Sequence, residues 1–67
     1  MKIEKVLARH GFEQVHCDEQ SETWGRNGVY VVVAADDSWR IDLPPESGRR
    51  PLLGQGGGYL ALALAIL

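Results

Sequence analysis

His16 and Cys17 stand side by side, and with His10 they are the residues whose types suggest proton transfer or nucleophilic attack. The run FEQVHC, Phe12 to Cys17, is short and rich in strand formers. Adjacent side chains on a strand point to opposite faces, so His16 does not readily activate Cys17. The pair reads as a rim histidine beside a core-facing cysteine, and His10 as a favourable charge near the last carbonyls of a helix. The stretch Gly54-Gln55-Gly56-Gly57-Gly58 could cradle a phosphate on backbone N–H groups ahead of a helix. No Lys-Ser/Thr follows it, and the chain holds no acidic residue about 20 positions later, so it reads as a flexible linker. No Cys/His set has metal-ligand spacing, and neither metal nor cofactor is expected.

The carboxylates are more informative. Glu13, Asp18, Glu19 and Glu22 form one run without a base, and Asp36, Asp37, Asp42 and Glu46 form a second against Arg40. The cations collect on the first segment and at Arg49-Arg50, so the folded domain should carry an acidic sheet-and-loop side and a mildly basic helix side. General acid–base chemistry needs two carboxylates in a cleft, which a domain this small rarely forms, so no catalytic residue is assigned. Loop carboxylates are most often simply solvated. Displayed together on a rigid domain, they also fit a basic nucleic-acid channel of another protein, since complementary potentials speed encounter and raise specificity. The partner-binding residues expected on that basis are Glu13, Asp18, Glu19, Glu22, Asp36 and Asp37. Trp24 and Tyr30 are the aromatic anchors, where they face outward. Trp39 lies in an apolar stripe and reads as core.

These residues must be positioned by a few short elements. Ile3, Val6, Leu7 and His10 recur at helical spacing and leave Lys2, Lys5 and Arg9 toward water, which predicts a helix from about Lys2 to His10. Gly11 suits its left-handed end, with Phe12 folding back on the last turn. Asn27-Gly28 predicts a type I′ turn joining Thr23–Arg26 to Val29–Ala35, whose two apolar faces mark a mid-sheet strand. Asp36-Asp37-Ser38 predicts a turn, after which Trp39, Ile41 and Leu43 alternate with Arg40 and Asp42 as a third strand or sheet edge. Pro44-Pro45 ends the ladder, and PPESGRRP reads as a loop. The Leu/Ala alternation of the tail is compatible with a strand or a helix. Propensity favours a second helix from about Gly58 to Leu67, buried as core. The expected class is α+β in the order α-β-β-β-α, a three-stranded antiparallel sheet with its helices on one face.

Composition bounds the rest. Sixty-seven residues, 45% of them hydrophobic and 24% charged, make one domain with no room for both a core and a cofactor cavity. Seven Lys and Arg against nine Asp and Glu argue against direct binding of nucleic acid. Cys17 has no internal disulfide partner and the N-terminal residues are charged, which suggests a cytoplasmic protein without an export signal. The apolar tail is about half the roughly 20 residues a membrane helix needs. A core this small is marginal, so a monomer or weak homodimer is expected.

The α-β-β-β-α layout, with Gly11-Phe12 after the first helix, resembles HicA-type toxins, small mRNA interferases with a double-stranded-RNA-binding-like fold. That resemblance implies RNA cleavage or binding, with His16 the strand histidine able to move a proton. Ser21-Glu22-Thr23-Trp24-Gly25 lacks the family's catalytic histidine motif. The segments MKIEKVLARHGFE and ETWGRNGVYVVVAADDSWRIDLPP, with the Leu/Ala tail, resemble the small acidic anti-CRISPR proteins of phages and mobile elements, in particular inhibitors of type I-C Cascade. This implies a non-enzymatic inhibitor that binds a Cascade subunit and blocks target DNA, its acids standing in for phosphates.

Overall fold

The computed structural model describes residues 3–67; Lys2, where the first helix was expected to begin, lies outside the described residues. Helix α1 covers Ile3–Arg9 and buries Ile3, Val6 and Leu7, the apolar face set by their spacing. Gly11 ends it at φ 83°, with Gly11 N–H donating to Ala8 O and Phe12 N–H to Leu7 O, both at 3.0 Å. That is the paired bonding of a left-handed helix end, and it folds Phe12 into the core.

Five strands follow: β1 (Glu13–Cys17), β2 (Ser21–Arg26), β3 (Val29–Ala34), β4 (Ser38–Asp42) and β5 (Leu52–Gln55). They form one antiparallel meander in the order β1-β2-β3-β4-β5. The three-stranded expectation is therefore corrected to five, within the α+β class. Both arms of the Asn27-Gly28 hairpin are full strands, with φ of 50° and 83° at the turn, and both pair outward as well. The fifth strand comes from Leu52-Leu53-Gly54-Gln55, which overturns the reading of Gly54–Gly58 as a linker. Gly54 stands opposite Trp39, whose ring occupies the space a side chain at 54 would fill, and Trp39 Nε1 donates to Gly56 O at 3.1 Å. The indole thus supplies the packing that glycine withholds from a strand. Between β4 and β5 the proline-rich loop makes a 3₁₀ turn over Pro45–Ser47.

Helix α2 covers Gly57–Ala65. Leu60 and Leu64 join Ile3, Val6, Leu7, Phe12, Val31, Val33, Trp39 and Ile41 in a single core between both helices and one sheet face. The tail was expected to be buried throughout, but Tyr59, Leu62, Ile66 and Leu67 are exposed. With one sheet on one side, a helix can bury only one stripe, and this one has no charged residue to turn toward water on the other. No helix among the described residues is long and apolar enough to cross a membrane.

Candidate interaction surface

An antiparallel meander puts alternate turns at the same end, so the β1–β2 and β3–β4 turns are neighbours; Ala35 N–H donates to Gln20 O at 3.2 Å between them. Asp18 and Glu19 lie in the first turn, Asp36 and Asp37 in the second. Glu22, on the helix-facing side of β2, accepts a hydrogen bond from Gln14 Nε2 at 2.8 Å. The start of α1 comes down on the same end. Glu4, Lys5, Glu22, Ala35 and Asp37 line one hollow there, and Glu4, Asp18, Glu19 and Glu22 line the next. Six carboxylates thus share one end of the molecule, with Lys5 the cation on the lining among the described residues.

The turn acids are held in place. Asp18 Oδ1 accepts from the N–H groups of Gln20 at 2.8 Å and Ser21 at 2.7 Å, and its carboxyl lies below the ordinary range mainly because of these two bonds. His16, 3.7 Å away, acts in the same direction. Asp36 Oδ1 accepts from the Ser38 hydroxyl at 2.6 Å and its N–H at 3.1 Å, the hydroxyl giving the larger lowering. Among the described residues the ion pairs are His16–Asp18 and Arg40–Asp42, so the acids of this end meet no arginine.

The opposite end is more basic: it gathers arginines, with Glu13, Asp42 and Glu46 beside them. Arg26 Nη1 donates to His10 O at 2.7 Å at the close of α1, and Arg49-Arg50 enter β5 there. Both helices run from the acidic end to the basic one, and the end of α2 reaches the hollow lined by His10, Arg26 and Leu67.

Of the residues expected to bind a partner, the structure brings together Asp18, Glu19, Glu22, Asp36 and Asp37. Glu13 is separate, paired with Gly25 near the basic end. Trp24 lies half-buried on the helix face against the core, and its Nε1 is buried without a partner among the described residues. Tyr30 is on the other, uncovered face, 47% exposed, packed over Gly25. Neither aromatic stands among the acids. Glu4 was missed because it is remote in sequence from both runs; its place in the first turn of a helix is the signal that could have found it. Tyr59 was missed as an exposed aromatic because the tail was read as core.

Cys17, expected to face the core, is exposed. Edge strand β1 extends beyond the cover of the helices, and all five of its residues are exposed. His16 pairs with Thr23 and Cys17 with Glu22, on opposite faces of the sheet. His10 Nδ1 lies 2.9 Å from Val6 O, occupied with its own helix. No cluster of three metal-ligating side chains occurs among the described residues. Comparison with protein-family models, with curated proteins and with solved structures returned no match to this chain.

Proposed function

We propose that this protein is a non-catalytic inhibitor that binds a basic, nucleic-acid-binding protein through its carboxylate-bearing end and blocks the nucleic acid from its groove. The partner class that the sequence resemblance suggests is a subunit of a type I-C Cascade complex. The observation that carries the reading is the convergence of Glu4, Asp18, Glu19, Glu22, Asp36 and Asp37 at one end of the sheet. Two turns, cross-linked by a backbone bond and pinned by their own aspartates, present those charges with little ordering cost on binding. A cationic groove gains most from such a fixed array.

The test is binding to purified Cascade across a salt series, with target duplex DNA as competitor. Asp18→Lys with Glu19→Lys should weaken binding by about tenfold or more and flatten its salt dependence. Glu46→Lys, on the far loop, should change little. Unaltered affinity in the double variant removes the electrostatic account, and absence of binding by the unmodified protein removes Cascade as the partner.

A further inference from the structure

We infer that two copies of this chain associate about a two-fold axis through the free edge of β5, with the outward flank of α2 packed beside it. The two edges of the sheet are built differently. On β1 the ladder is broken by a bulge between Gln14 and His16, and Glu13 and His16 line the strand, devices that resist further pairing. β5 pairs with β4 in unbroken register, carries no charge and exposes Leu53 by 75%. The bond from Gly56 N–H to Asp37 O, 2.9 Å, continues that ladder and sets its phase. Gly54 and Leu52 then bond β4, while Leu53 and Gln55 turn their N–H and C=O groups to the open edge. Pro51, in the same phase, has no N–H, which confines pairing to the short stretch after it.

Helix α2 lies between α1 and this edge. Ala61 faces α1, sharing a hollow with Lys5, Val6, Arg9 and His10. At about 100° per residue, Tyr59 falls toward the flank turned away from α1, Leu62 points straight away from the sheet, and Ile66 lies between the two. They are 71%, 67% and 69% exposed, with no charged residue in the helix.

Charge identifies the occupant as a second copy. β5 starts just after Arg49-Arg50 and ends beside the acidic turn, where Gln55 Nε2 donates to Asp36 O at 3.2 Å. Antiparallel pairing of β5 with itself therefore brings Arg49-Arg50 of each copy to the end of the other that holds Asp36-Asp37, one strand in from the joined edge, twice over. Parallel pairing would set like charges together. The contact is closed, because the edges left at both ends of the joined sheet are the bulged β1 strands. It takes up Asp36 and Asp37 of the carboxylate array and leaves Glu4, Asp18, Glu19 and Glu22 open, and it is argued from the strand edge and α2 rather than from the proposed partner.

The test is the mass of the protein alone, by sedimentation equilibrium over a wide concentration range. Twice the 7.4 kDa chain mass is expected at high concentration. Leu53→Lys and Tyr59→Lys should each raise the dissociation constant about tenfold or more. Arg50→Asp and Asp37→Arg should each do the same, and the two combined in one chain should restore association; circular dichroism checks that each variant is folded. A mass that stays monomeric throughout overturns the inference. So does a dimer indifferent to Leu53→Lys and Tyr59→Lys, or folded charge variants whose combination fails to recover association.

Discussion

Trp39 over Gly54 and Tyr30 over Gly25 are the same device on opposite faces of the sheet: an aromatic ring covering a strand glycine across the ladder. At residue 54 the space is fully taken, since an added Cβ would overlap the buried indole. Gly54→Ala should therefore lower stability by about 1–3 kcal/mol in urea unfolding, the cost of forcing a core ring aside. Gly58→Ala, in the first turn of α2 with nothing within 4 Å of the added carbon, should be neutral or stabilising by up to about 1 kcal/mol. Equal effects at the two positions would show that the indole does not lie on Gly54 in solution. The turn aspartates make a second residue-level prediction. Asp18 and Asp36 have folded values below the ordinary 3.8, so their contribution to stability is complete above that pH and is lost as pH falls through the folded values. Carboxyl titration by NMR should place both midpoints below 3.8; a midpoint at or above it would mean that the turn bonds do not persist.

Among the elements, β5 and α2 depend on each other. A four-residue strand and a nine-residue helix are each too short to be stable alone. Trp39 links them, packing on Gly54 and bonding Gly56 O between them. Leu60, fully buried, fastens the helix to the core. Leu60→Ala should cost about 2–5 kcal/mol in thermal or urea unfolding. A cost below about 0.5 kcal/mol, the range of ordinary surface substitutions, would mean that α2 is not docked. Helix α1, shorter still, has its bounds set by its apolar spacing and glycine end but is likewise held by burial of Ile3, Val6 and Leu7 and by the bond from Arg26 to His10 O.

Over the whole molecule, six of the nine carboxylates gather at one end of the sheet and Arg26, Arg49 and Arg50 at the other, beside Glu13, Asp42 and Glu46, although the net charge is only −2. Both helices start at the acidic end, where their positive poles face the negative side chains, which offsets part of the repulsion there. The charge separation has two separable readouts. Glu19→Lys should weaken the capture of a cationic partner and leave the chain mass distribution unchanged. Arg50→Asp should shift the mass toward monomer and leave partner capture intact at matched subunit concentration. If both substitutions move both measurements together, the two surfaces are not independent.

Local information in the sequence determined the first helix and its glycine end, the Asn27-Gly28 hairpin, the central place of VYVVVA and the Asp36-Asp37-Ser38 turn. Each depends on spacing or backbone preference within a few residues. It also marked the two acidic runs, but not that Asp18, Glu19 and Glu22 meet Asp36, Asp37 and Glu4 while Glu13 is left apart. That follows from how many strands the meander has and which turns fall together, a property of the sheet rather than of either run. Only tertiary structure made Leu52–Gln55 a strand, because glycine suits a ladder there once Trp39 covers it. Only it divided the Leu/Ala tail into a buried stripe and an exposed one, because a helix with no charged residues and alternating Leu and Ala carries little signal of which side meets the sheet.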